Sequence, residues 1–373
     1  MSERIPLNQL RSYFLKKHHL APHAKAACVQ QAISSLVGLH AARISTPFVS
    51  LFTRIEGFQP IDLEQQMRSS LIKLRCMRKT LHIVPIQVAP IVHQATLKQR
   101  LPICTRSYKK IGVNERDIAL CKEYLIELVR LKPYSAEDMI HNILEQPFFE
   151  RIKKQLSNPI YLLRRIIKHC WEEGTFCYIN DSSQWTKESR TYGYTPNIYP
   201  ELNLSSVEKE EAEEKLIDLY IKHYGPVSFK DICWWTGLDK RVVQKHLSAK
   251  GYQKILIDSF GSELYITKEN AEELILTKPF DYPFFSICAY DDPTLKGYYE
   301  SRWRYADQKA KEVFLKNGEI SSCILLNGRI IGKWLWRKED KRVEYKIFEQ
   351  VETQLVNKID EQLMRLEAFW RKG

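Results

Sequence analysis

The spacing of apolar positions is most regular between Ser206 and Thr267, where it switches from a helical period to alternation. The first helix of this stretch stops at Tyr224-Gly225-Pro226, because glycine ends helices and proline cannot continue them. Ser228 and Asp231 then have the spacing of a capping box that opens a helix over Phe229–Thr236. Gly237 breaks that helix, and Asp239 caps the next, Lys240–Lys250, which ends at Gly251. Two short strands are predicted after it, Tyr252–Ile257 and Glu263–Thr267, joined by a turn over Asp258–Gly261. Helix, turn, helix and then a hairpin is the pattern of a winged helix.

The same order is written upstream. An amphipathic helix over Ile118–Leu131 is followed by Pro133, Ser135 and Asp138, with the same mutual spacing as Pro226, Ser228 and Asp231. A helix over Pro159–Glu173 ends at Gly174, a strand Thr175–Ile179 follows, and Asn180–Gly193 reads as a polar wing. At the N-terminus, Asn8–Lys17 and Lys25–Leu39 read as helices, Asp62 caps a helix over Leu63–Leu71, and Arg75–Val84 reads as a strand. The tail differs. Pro283–Tyr290, Ile320–Asn327, Arg329–Leu335 and Val343–Phe348 alternate like strands, Asn327-Gly328 is a hairpin turn, and a closing helix runs over Glu349–Trp370. The expected fold class is α+β, with three tandem winged-helix modules at 1–115, 116–204 and 205–275. A small β-barrel-like domain with a terminal helix is expected at 276–373.

Composition narrows the class. A chain of 373 residues with 44% hydrophobic and 27% charged residues is a globular protein of several modules. No stretch approaches the roughly 20 uncharged apolar residues of a membrane span, and the charged start, Met1 to Pro6, argues against export. The nine cysteines are scattered, with no Cys-x-x-Cys pair, which points to reduced thiols in a cytoplasmic protein and away from a structural zinc. No signature of a nucleotide or metal cofactor is present, so none is expected. Lysine and arginine total 57 against 45 acids, a net charge of +12. Such an excess suits either a polyanionic partner or a merely soluble basic surface, and composition leaves both open. The charge is uneven: Leu97–Lys110 holds Lys98, Arg100, Arg106, Lys109 and Lys110 without an acid, whereas Val207–Glu214 carries five glutamates and one lysine.

Several collinear blocks carry a resemblance. They are Gly38-Leu39-His40-Ala41-Ala42, Phe52 to Phe58, Arg75 to Val84, Tyr224-Gly225-Pro226 through Trp234-Trp235-Thr236-Gly237-Leu238, Asp292 through Gly297-Tyr298, and Asn327 to Trp334. Together they span nearly the whole chain, and the chain resembles the bacterial AlkZ/YcaQ-like DNA glycosylases. That resemblance implies three winged helices in a curved arrangement closed by a β-barrel, with double-stranded DNA held in the concavity. It also implies a monofunctional glycosylase, which hydrolyses the N-glycosidic bond of a modified nucleobase and leaves an abasic site. Better-known members carry Gln-hydrophobic-Gln or Gln-hydrophobic-Asp at the catalytic position, which here reads His40-Ala41-Ala42.

Cleaving a deoxyribose N-glycosidic bond builds oxocarbenium character on the sugar, so the site must position a water and bear developing positive charge. An imidazole with a pKa near 6.5 holds or deprotonates water at neutral pH, which makes His40 the catalytic candidate; a histidine satisfying a helix end is the plainer alternative. Because Ala42 has no polar group, Asp292 is the candidate for the missing carboxylate, with Asp291 a neighbour. An Asx-turn before Pro293 explains Asp292 equally well. Arg75, Arg78, Lys79, Thr80 and His82 crowd one predicted strand and read as phosphate contacts near a flipped nucleotide, or as an exposed basic strand. Lys333 and Trp334 follow the hairpin and are candidates for DNA contact, although Trp334 and Trp336 also have the period of a core-facing pair.

Two functional alternatives stand beside repair of alkylated or cross-linked DNA. One is a non-catalytic winged-helix DNA-binding protein or regulator, which the altered motif favours. The absence of a ligand domain or dimer helix counts against it, and leads to an expected monomer. The other is a glycosylase of antiphage defence that excises a hypermodified base such as a glucosylated hydroxymethylcytosine, for which the small Ala42 leaves room. No membrane partner is expected.

Overall fold

The computed structural model describes residues 4–373 except Ser259, Asp307 and Asn317, and leaves the side chains of Lys109, Gln308 and Lys309 undescribed. Ser259 of the predicted turn and the first three residues of the charged start therefore lie outside the described residues. Many predicted helices form where the capping chemistry places them. Phe229–Thr236 starts at a Ser228–Asp231 capping box and stops at Gly237, whose left-handed backbone (φ +73°) suits glycine. Pro159–Glu173 runs to a left-handed Gly174, and Lys240–Ala249 is capped by the Asp239 side chain.

The N-terminal region departs from expectation. The helix predicted over Lys25–Leu39 is only Val29–Ser34, and Leu39–His40 is instead a short strand. Val37 adopts a positive φ of 63°, and a Cβ on Gly38 would stand 2.7 Å from Val84. The chain leaves the helix here so that Gly38 can pass close to the neighbouring strand. Asp62 is the third residue of the helix Pro60–Gln66 and closes a capping box with Gln59, so the helix starts earlier than predicted. The predicted strand Arg75–Val84 is in fact a hairpin. Its strands are Leu71–Arg75 and Leu81–Pro85, and the turn between them holds Arg78 and Lys79 at positive φ.

Three small sheets and one larger one result. Leu81–Pro85 lies between Leu39–His40 and Leu71–Arg75, all antiparallel, and Arg190–Tyr194 lies between Tyr134–Ser135 and Phe176–Asn180. Gln253–Ile257 pairs with Leu264–Ile266 and, in parallel, with Arg4–Ile5. In the tail, Phe285–Cys288, Cys323–Leu326, Arg329–Arg337 and Arg342–Ile347 form an antiparallel meander. The expected barrel does not close: the first and last of these strands remain sheet edges among the described residues. The reason lies in the packing. Cys323, Leu325 and Ile330 point into one core with the helices Leu7–Lys17 and Lys209–Tyr224, while Ile324 and Ile331 point into a second with Glu115–Leu131 and Thr353–Arg371. With both faces already covered, the sheet is a wall between two cores and gains nothing by curling shut.

A helix with no predicted counterpart, Ala89–Ile111, packs against both Lys209–Tyr224 and Pro159–Glu173. Pro102 interrupts its sequence pattern, and the acid-free run Leu97–Lys110 lies on it. Arg100 of that run is buried and ion-paired with Glu172 at 2.6 Å, so part of the basic excess is internal. Among the described residues no helix is long and apolar enough to cross a membrane. All nine cysteines are free thiols.

Candidate active site

The strand Leu39–His40 sets His40 opposite His82, and the two rings meet edge to face with centroids 5.3 Å apart. Both rings are buried. His82 keeps a bond to the Thr80 carbonyl at 3.2 Å. His40 differs: neither ring nitrogen has a hydrogen-bond partner among the described residues. Its Nδ1 lies 3.5 Å from Oδ2 of Asp291, which is beyond a good hydrogen bond but close enough to feel the charge. A buried, unsatisfied imidazole costs about 1–3 kcal/mol, so its persistence needs an explanation.

Asp291, not Asp292, is the carboxylate facing His40. Asp291 sits at a positive φ of 53°. Its Oδ1 accepts from the Lys296 ammonium at 2.5 Å and from the Ile320 amide at 2.9 Å. Asp292 turns the other way. It is fully buried and takes both arms of Arg54, at 2.9 and 2.7 Å, while capping the backbone amide of Thr294. Arg54 in turn donates to the carbonyls of His18 and Ser50. The aspartate before Pro293 thus completes a buried ion pair and an Asx-type cap in one residue, and it does not meet His40.

Charge around His40 is dominated by cations. Arg78 reaches the cleft from the hairpin turn, with its guanidinium 4.0 Å over Trp234, and Lys296 reaches it from the helix Pro293–Lys296. Burial holds the His40 imidazole far below its ordinary pKa; the neighbouring titratable ring of His82 and the cations Lys296 and Arg78 add to the effect. Burial likewise pushes His82 down to about 3, helped by Arg78. Both rings are therefore neutral at any working pH. The cleft itself, bounded by Gly38, Tyr224, Trp235 and Pro293 as well, is only about 10 Å3, room for roughly one water and not for a base. Tyr224 approaches so closely that a Cβ on Gly297 would strike its ring at 2.4 Å.

The remaining predicted residues scatter. Arg75 pairs with Glu172 at 3.0 Å and donates to the Lys79 carbonyl. Thr80 closes the hairpin turn onto Met77, and Lys79 is exposed. Trp334 is buried at the edge of a basic groove and donates its indole N–H to the Cys288 carbonyl at 3.0 Å, as a sheet-core residue does. Lys333 lies beside this groove of about 860 Å3, which sequence reading missed. Lys187, Lys338, Lys341, Lys346 and Arg371 also line this groove, and Arg43 caps one end over the Tyr290 ring. Lys187, Lys338 and Lys341 make no ion pair among the described residues, which leaves their charge available to an anion. The stretch from Arg337 to Lys346, with five basic residues against three acids, was the available signal, but only folding brings it to Lys187 and Arg43. Among the described residues, no group of three or more His, Cys, Asp or Glu side chains could hold a metal ion.

The family model described as "DNA glycosylase AlkZ-like" matches residues 33–369. Among solved structures, Streptomyces sahachiroi DNA glycosylase AlkZ superposes with a TM-score of 0.74 at 18% sequence identity, covering 98% of both chains. No curated protein matches. The match over residues 33–369, which takes in His40 and Asp291, shows that this chain belongs to the AlkZ-like DNA glycosylase family.

Proposed function

We propose that this enzyme hydrolyses the N-glycosidic bond of a modified base in double-stranded DNA by a monofunctional route, leaving an abasic site, and that His40 positions the attacking water. The carrying observation is the buried His40 ring whose two nitrogens lack protein partners in a cleft of about one water's volume. Asp291 stands on the Nδ1 side and favours the tautomer protonated there, which leaves Nε2 to accept from water. A ring held this far below its ordinary pKa is a poor proton acceptor, so the role is orientation and not general-base chemistry. Its neutrality also spares the sugar cation a repulsive charge. The modified base stays outside the cleft, where the alanine at 42 is exposed and offers no polar group.

The groove lined by Lys187, Lys338 and Lys341 supports the reading that the phosphate backbone lies there. Asp292, Trp334 and Arg75 are assigned to the scaffold by their buried partners. We also read the three small sheets with their helices as three winged helices, and the enzyme as a monomer. The test is incubation with alkylated, cross-linked and glucosylated hydroxymethylcytosine DNA, followed by alkali to reveal abasic sites. His40→Ala should slow single-turnover release by roughly 10²-fold, and His40→Gln should retain most of the rate. A Gln variant as inactive as Ala, or a rate that falls as pH drops through 6.5, would restore proton transfer as the role of His40.

A further inference from the structure

Arg78 joins the His40 cleft to a second feature. Its guanidinium lies 4.0 Å over Trp234, and Trp234 stacks on Tyr299 with an interplanar angle of 24°. Beyond Tyr299, the Arg302 guanidinium lies over three rings, those of Tyr299, Trp303 and Phe314, at 5.9, 5.2 and 5.0 Å. The outermost rings face solvent: Tyr299 is 48% exposed and Trp303 is 43% exposed. The Nε of Arg302 has no hydrogen-bond partner among the described residues.

These rings are presented by a rigid support. The buried Asp231 carboxylate accepts from the backbone amides of Tyr299, Glu300 and Ser301, and the fully buried Arg304 ties Ser301 to the Pro226 carbonyl. Large aromatics left half in water on a braced loop are not explained by core packing. Alternating arginines and aromatic faces is the chemistry that holds unstacked nucleobases, because every base has a π-face and every nucleotide a negative charge. Continuity with Arg78 places this surface beside the site where a base is removed.

We propose that Trp234, Tyr299, Arg302 and Trp303 form a stacking site for unpaired bases of single-stranded DNA. It rests on the reading that the His40 cleft acts on DNA, and assigns this surface to bases of a locally opened strand. The groove beside Lys338 binds phosphates, whereas the rings of this surface bind base faces and Arg302 meets a phosphate of the same strand.

The test uses the full chain and unmodified DNA, so it stands apart from any failure to release a base. Fluorescence anisotropy compares labelled oligothymidylate with a strand of the same length built from abasic tetrahydrofuran residues. Oligothymidylate should bind at least tenfold tighter. Tyr299→Ala and Trp303→Ala should each weaken oligothymidylate binding by about tenfold while leaving the abasic strand unchanged, and Trp303→Phe should bind like wild type. Arg302→Ala should lower the salt slope by about 0.7, which the aromatic variants should not do. Equal affinity of the wild-type protein for both strands, or alanine variants that bind oligothymidylate normally, would overturn the proposal. Because Tyr299 and Trp303 are half exposed, their loss leaves the fold standing, which near-UV and far-UV circular dichroism verify.

Discussion

Two adjacent aspartates have opposite assignments, and separating them tests the site directly. Replacing Asp292 by Ala strands the guanidinium of Arg54, which is fully buried and loses both of its carboxylate bonds. Unit charges about 4 Å apart at an effective dielectric of about 20 interact by about 4 kcal/mol. Breaking a buried pair from one side costs about 3–5 kcal/mol, since the remaining charge has no water to receive it. Arg54 keeps bonds to Thr294 and to the carbonyls of His18 and Ser50, which places the loss toward the lower half of that range. Urea unfolding followed by circular dichroism should show an unfolding free energy lower by that amount. Replacing both Arg54 and Asp292 by Leu should be less damaging than either single change, because no orphan charge remains. Single-turnover base release, measured well below the unfolding midpoint, should be nearly unchanged in Asp292→Ala and reduced ten- to a hundredfold in Asp291→Asn, which removes the charge that biases the His40 tautomer. Wild-type stability in Asp292→Ala, with base release abolished, would refute the assignment.

Other outcomes follow from the same structure. The folded-state pKa values of His40, His82, His93 and His223 are all depressed by burial, to about 3 for His82 and His93 and about 4 for His223. The unfolded chain therefore takes up protons below about pH 6.5 that the folded chain refuses, and stability should fall as pH drops from 6.5 toward 4, by up to about 1.4 kcal/mol per unit for each histidine; a flat pH profile of the unfolding free energy would contradict this. Lys338→Ala and Lys341→Ala should each lower the salt slope of duplex binding by about one and weaken all sequences alike. Arg75→Ala should change that slope little, because its charge is already engaged by Glu172. Trp334→Ala should cost about 3–5 kcal/mol of stability, as expected of a core tryptophan, and any larger effect on DNA affinity than on stability would return it to the interface.

Local chemistry was legible in the sequence wherever one element decided its own fate. The Ser228–Asp231 capping box and the glycines at 237 and 174 marked helix ends that form as read, because capping and left-handed backbone are interactions within a few residues. The family blocks likewise marked His40 and the tail hairpin at Asn327-Gly328 before any contact was known. Tertiary packing decided the rest. Pro102 hides the central helix Ala89–Ile111 from a periodic reading, yet it forms packed against two neighbouring helices. The helix predicted through Leu39 gives way to a strand because pairing with Leu81–Pro85 outweighs the propensity of so short a segment. Nothing in the order Asp291-Asp292-Pro293 tells which carboxylate meets His40 and which meets Arg54. That choice depends on the positive φ at Asp291 and on partners that lie roughly 240 positions earlier in the chain. Charge and residue type are properties of the sequence, but the neutrality of His40 and the convergence of Lys187 with Lys338 arise only from burial and proximity, which the fold supplies.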